Sequence, residues 1–140
     1  WMEKGQSYFV GDSAFIQDME RMRFHVRPNR LNSGISQLHY NPSFYKELEE
    51  GVSMARWKGN SIVFIQDKNF SLPELVKIDY LVVGKNAINP NLLPVHLKVK
   101  KVILDGSNSR RYVNQWRTVS ANRNIEVHDV ADDGAFILTK

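Results

Sequence analysis

The stretch KVKKVILDGSNSRRYVNQWRTVSANRN, residues 98–124, decides the reading of this chain. Residues 102–104 are a short apolar run of β-formers with turn residues directly behind them, the pattern of a buried strand. A polar turn over 105–109 leads into an amphipathic helix from about Arg110 to Asn122. Tyr112, Trp116 and Val119 fall at i, i+4 and i+7, one stripe of a 3.6-residue period. Asn108 or Ser109 can cap the helix through a side-chain oxygen. Charge gathers here as well. Seven Lys/Arg stand against the single acid Asp105, a net of +6, whereas the whole chain carries +4 and everything outside the stretch therefore −2.

Downstream and upstream of this stretch the same rhythm continues. Residues 78–83 read as an apolar strand, 90–97 as a brief helical stretch and 125–130 as a third strand. This βαβαβ order predicts adjacent parallel strands joined by right-handed crossovers. Asp132, Asp133 and Gly134 form a last turn into 135–139, expected to pair antiparallel at the sheet edge. Toward the N-terminus the pattern changes to hairpins: 1–10 with a turn at Lys4, Gly5 and Gln6, and 53–57 with 61–66 joined by Lys58, Gly59 and Asn60. A helix is expected from Ser13, since Phe15, Met19, Met22 and Val26 keep helical spacing, ending before Pro28. Residues 35–40 read as a short edge strand. Asn41 and Pro42 look like a helix start and Gly51 like its stop, framing a short acidic helix with Glu47, Glu49 and Glu50. The expected class is α/β: a mixed sheet with N-terminal hairpins and a C-terminal βαβαβ unit.

With 140 residues, 42% apolar and 24% charged, the chain suits one soluble globular domain. No cysteine is present, which removes disulfide and thiolate chemistry. No apolar run approaches the ~20 residues that span a bilayer. The opening Trp1-Met2 implies a piece of a longer protein.

Candidate chemistry is sparse. His25, His39, His96 and His128 are scattered with no HxH, HExxH or HxHxDH spacing, so they read as ordinary histidines and no metal or cofactor is expected. Gly106-Ser107-Asn108 is not a nucleophile elbow. Asp105 closes a buried strand, where open α/β sheets place ligands. With Asp79, or with Asp132 and Asp133, it can hold Mg²⁺; alternatively it accepts hydrogen bonds from its own turn. Arg110 and Arg111 stand at the positive end of the helix dipole, which a carboxylate or an anionic ligand must offset. One reading makes them an anion site with the turn, comprising Gly106, Ser107, Asn108, Ser109, Arg110 and Arg111. The other leaves them solvated and paired to Asp105 or an acidic loop.

IDYLVVGKNA (78–87), KKVILDGSNSRRYVNQW (100–116), IEVHDV (125–130) and DDGAFIL (132–138) together resemble the C-terminal soluble region of ComEC-type competence proteins, membrane proteins of bacterial DNA uptake. YFVGDSAFIQDMERMRFHVRPNR (8–30) resembles the matching part of a Bacteroidetes-like branch. The resemblance implies part of a metallo-β-lactamase-like αβ–βα sandwich, a fold whose active members bind two metals. This chain departs from that pattern. Gly84, Lys85 and Asn86 replace a histidine pair, and no histidine follows the next strand, so no metal residue carries over. What the resemblance implies is a non-catalytic accessory domain of an inner-membrane protein, on the periplasmic side. Its expected partners are single-stranded DNA, bound weakly through three or four phosphates, and the transmembrane part of its own longer chain. No small-molecule substrate is implied. Two alternatives remain, a metal-dependent phosphodiesterase using Asp105 and Asp79, and a purely structural docking domain.

Overall fold

A computed structural model describes residues 2–3, 6–9, 17–20, 23, 37–40, 44–67 and 77–138. The chain divides into two compact units, Trp1–Ser43 and Phe44–Lys140. In the first, β1 (Met2–Glu3), β2 (Gln6–Phe9) and β3 (Gln37–Tyr40) form a sheet in that order. Glu3 faces Gln6 across the antiparallel β1–β2 pair, so the expected hairpin is present with Gln6 already in its second strand. β3 runs parallel to β2 at the edge. Of the helical stripe expected to be core, Phe15, Met22 and Val26 lie outside the described residues. Met19 is 78% exposed, which corrects its placement in a core.

The second unit is a six-stranded sheet in sequential order: β4 (Tyr45–Glu49), β5 (Val52–Trp57), β6 (Asn60–Ile65), β7 (Tyr80–Val83), β8 (Lys101–Leu104) and β9 (Glu126–Asp129). The first three strands form an antiparallel meander, and β6 to β9 are parallel. Helix α1 (Arg110–Arg123) makes the crossover from β8 to β9, and a 3-10 turn (Pro90–Leu92) lies between β7 and β8. The mixed α/β sheet with its parallel C-terminal unit is thus the architecture that the sequence predicts.

Alternation builds the core. Leu81 and Val83 of β7 and Val102 and Leu104 of β8 point to one face, and Val63 and Ile65 of β6 join them. Tyr112, Val113 and Trp116 cover that face from α1, with Ala87, Leu93 and Val99 from the β7–β8 connection. The buried stripe of α1 also takes in Ser120, whereas Val119 is only half-buried. The turn between β5 and β6 has Lys58 and Gly59 both at positive φ, the two-residue geometry that suits the right-handed twist of hairpins.

Two expectations are corrected. The acidic helix between Pro42 and Gly51 is instead the edge strand β4, paired antiparallel with β5 from Tyr45 opposite Ala55 to Glu49 opposite Val52. An edge strand needs one ladder only, and Lys46 to Glu49 stay exposed, so neither helical nor strand periodicity was written into them. Its charges and a register shift between Glu47 and Glu49 blunt the edge. Gly51 is the hairpin turn at φ +71°, where an added Cβ would sit 2.7 Å from Cβ of Asp67. The second correction concerns 135–139: among the described residues 135–138 form no strand. Asp129 caps a short helix, α2 (Val130–Asp133), by accepting from the Ala131 N–H at 3.1 Å. Phe136 then packs on the sheet face away from α1, its ring centroid 5.6 Å from Tyr80 and 5.3 Å from His128. Half-buried there, Phe136 makes ring contacts in place of edge pairing.

Candidate anion-binding site at the strand ends

β7 and β8 end side by side, Val83 opposite Leu104, and each runs straight into a turn. Turn 84–87 closes through the Ala87 N–H on the Gly84 carbonyl at 3.0 Å, with Lys85 at φ +53° and Asn86 at φ +54°. Two successive non-glycine residues in the left-handed region cost about 1–2 kcal/mol each, less for asparagine. The neighbouring turn stabilises them. Lys85 N–H donates to Ser107 Oγ at 2.7 Å, and Asn86 N–H to Asn108 Oδ1 at 2.9 Å. Ser109 N–H returns a bond to Asn86 Oδ1 at 2.9 Å, and Asn108 Nδ2 reaches the Val83 carbonyl at 2.7 Å. Gly84 leaves room for the Asp105 carboxylate, which a Cβ there would meet and have to displace.

Asp105 serves its own turn. Its Oδ1 accepts from Ser107 N–H at 2.9 Å and from Ser107 Oγ. Ser109, not Asn108, caps α1 by accepting from the Tyr112 N–H at 3.4 Å. Tyr112 anchors the helix start to the β7–β8 connection, its hydroxyl accepting from Ile88 N–H at 3.0 Å and donating to the Ile88 carbonyl. Burial pushes the Tyr112 hydroxyl above its usual pKa.

The two arginines part company. Arg110 Nη1 lies 2.6 Å from Asp132 Oδ2 and 3.5 Å from Asp129 Oδ2, and Arg117 Nη2 holds the same two oxygens at 3.0 and 3.4 Å. These hydrogen bonds from Arg110 and then Arg117 hold the Asp132 carboxyl below its ordinary range, and Asp132 raises Arg110 in turn. The dipole cost at Arg110 is therefore offset by the acids around α2 and not by Asp105. Arg111 is exposed and has no partner among the described residues.

The wider charge surplus is spent similarly. Lys100 pairs with Asp79 at 2.8 Å and Lys101 with Glu126 at 3.0 Å. Arg123 donates to the carbonyls of Leu93 and Pro94. Of the seven cations in 98–124, only Lys98 and Arg111 are left without a partner among the described residues, and Lys98 lies before β8, at the opposite sheet end. Lys85 was no part of the site expected from sequence, and the structure adds it as an exposed cation beside Ser107. From Gly84 to Ile125 the only acid is Asp105.

The expected carboxylate pairs do not form a metal site. Asp79 directly precedes β7 and Asp105 follows the end of β8, about 16 Å apart at ~3.3 Å per residue of parallel strand. Among the described residues no group of three His, Cys, Asp or Glu side chains is placed to hold a metal ion. The strand ends carry Lys85, Asn86, Ser107, Asn108 and Arg110 around the single carboxylate of Asp105, a set that does not fit a pair of metals.

The family model for the ComEC C-terminal domain matches residues 1–140. The chain belongs to that family. Its place is thus among the parts of competence, or DNA-uptake, proteins, and the family is membrane-associated. No curated protein and no solved structure matches the chain. Among the described residues of this ComEC C-terminal domain, no helix is long and apolar enough to cross a membrane.

Proposed function

We propose that this domain is a non-catalytic accessory module of its competence protein, held at the periplasmic side of the inner membrane, that binds single-stranded DNA weakly at the β7 and β8 ends. One observation carries the reading. Lys85 and Arg111 flank the turn of Gly106, Ser107, Asn108 and Ser109 as exposed cations, and Asp105, the acid of that turn, already accepts hydrogen bonds from Ser107. Of the six residues expected at the site, Arg111 is the phosphate contact, Arg110 is an internal tie, and the turn supplies the frame. The phosphodiesterase alternative loses its support, since Asp79 and Asp105 stand at opposite sheet ends.

Fluorescence anisotropy with a labelled single-stranded oligonucleotide at low and moderate salt tests the proposal. Wild type should bind at low salt, and Lys85→Glu/Arg111→Glu should abolish binding while circular dichroism stays unchanged. Equal binding by both proteins would refute the site. No binding by wild type at any salt would favour the other reading, docking onto the membrane part of the same chain, with which the pairing of four of the seven cations to acids is consistent.

A further inference from the structure

Beside the two cations lies a cleft of ≈ 390 Å³ between turn 84–91 and α1. Ala87, Ile88 and Tyr112 supply its apolar lining, and Asn86, Asn89, Asn91 and Gln115 line it with amides. No charged side chain lines it, so a bare anion or cation would find no counter-charge there. Its chemistry is that of a flat heterocycle: an apolar lining for the ring faces and amides for the edges.

The amides are set in place. Asn86 Oδ1 is held by the Ser109 N–H at 2.9 Å, which leaves its Nδ2 group for a ligand. Asn89 Oδ1 is held by Asn91 N–H at 3.0 Å and by Asn91 Nδ2 at 3.3 Å, leaving the Asn89 amide donor and the Asn91 amide oxygen. Gln115 has no partner among the described residues and offers both a donor and an acceptor. The left-handed backbone at Lys85 and Asn86, cross-tied to Ser107 and Asn108, fixes this flank of the cleft. Strained backbone held by its surroundings is characteristic of binding turns.

Each flank also pairs an amide with a cation. Asn86 follows Lys85 directly, and Gln115 lies one helical turn after Arg111 on the exposed side of α1. We propose that the cleft receives an unstacked nucleobase of the single strand whose phosphates lie on Lys85 and Arg111. This rests on the proposed function and deepens it, adding base contact to phosphate contact. Asparagine and glutamine amides match the N6/N7 edge of adenine, so adenine is the base expected to bind best.

The test uses deoxyadenosine, which carries no phosphate and so reads the cleft independently of the cations. In ¹H–¹⁵N spectra of the 140-residue chain, millimolar deoxyadenosine should shift the side-chain amides of Asn86, Asn89 and Gln115, while deoxyribose alone should not. Gln115→Ala sits at an exposed helix position that favours alanine, so the fold is kept. It should weaken the nucleoside about fivefold or more, the discrimination a good amide–base pair provides. Absence of shifts at the cleft, equal shifts with deoxyribose, or unchanged affinity in Gln115→Ala would overturn the base site. Loss of oligonucleotide binding in Lys85→Glu/Arg111→Glu would still stand or fall by itself, so the two failures are separable.

Discussion

Asp79 is the most instructive residue to perturb. It is 3% exposed directly before β7, and its carboxylate ties Ser61 of β6 to Lys100, the residue before β8, at one end of the sheet. Oδ2 accepts from Ser61 N–H at 2.9 Å and Ser61 Oγ at 3.1 Å, and Oδ1 meets Lys100 Nζ at 2.8 Å. The Lys100 hydrogen bond, then that of the Ser61 N–H, lower its pKa to about 2 against burial, which opposes them. Asp79→Asn keeps the shape and an acceptor for Ser61 but removes the charge. The full linkage value of such a shift is about 2.4 kcal/mol at 1.36 kcal/mol per unit. Lys100 is 61% exposed, and solvent screening brings the expected loss at pH 7 to about 1–2 kcal/mol. The folded pKa lies below the unfolded one, so this stability is present above the unfolded value of 3.8 and drains away as pH falls through about 2. Urea denaturation suits the assay because it adds no salt. The midpoint of Asp79→Asn should lie about 0.5–1 M below wild type at pH 7, for a slope of about 2 kcal/mol per molar, and the two curves should converge toward pH 2. A gap that stays constant from pH 7 to pH 2, or is absent at pH 7, would refute the carboxylate's role as a charged tie.

Two further substitutions probe the frame of the site. Trp116 is fully buried under the sheet, so Trp116→Ala should cost about 3–5 kcal/mol by urea melts, and an unchanged midpoint would mean that α1 does not rest on it. Gly84→Ala should cost about 1–3 kcal/mol, as overpacking does, and should cost clearly less in an Asp105→Ala background; additive losses would show that Asp105 is not what excludes a side chain at 84.

The parallel half of the sheet was legible because its determinants are local. The run 102–104, the turn after it and the stripe of Tyr112 and Trp116 each specify their own element, and the structure shifts their bounds by a residue or so. β4 was not legible, since Lys46, Glu47, Leu48 and Glu49 stay in water and record neither period, while their pairing with β5 is a tertiary fact. The tail failed for a related reason: Phe136 is recruited by Tyr80 and His128, far apart in sequence. The site was half legible. Turn 105–109 and its cap could be read directly, but Arg110 meets acids 19 and 22 positions away, a pairing no local rule contains. Lys85 and Asn86 carried a signal in their position directly after a strand; the left-handed turn they build depends on Ser107 and Asn108.

That pairing changes what the basic stretch can do. Net charge counted along 98–124 treats each cation as available, yet β9 and α2 return acids to Arg110, which begins the helix, and to Arg117, two turns on. Asp129 and Asp132 are downstream of the stretch, so the +6 is a property of the window and not of the surface. The salt dependence of phosphate binding reports mainly uncompensated cations, because an arginine whose charge a carboxylate already balances releases few counterions on meeting another anion. For a single strand the salt slope is about −0.7 per phosphate neutralised, so seven free cations would give about −5, whereas Lys85 and Arg111 alone give between −1 and −2. The same anisotropy titration, carried across salt, therefore reads the number of cations engaged. A slope near −3 would mean that the ion pairs at Asp129 and Asp132 open on binding and that Arg110 and Arg117 turn outward to join Lys85 and Arg111; a shallower slope leaves them as the clasp that holds α1 against β9 while the exposed pair meets the strand.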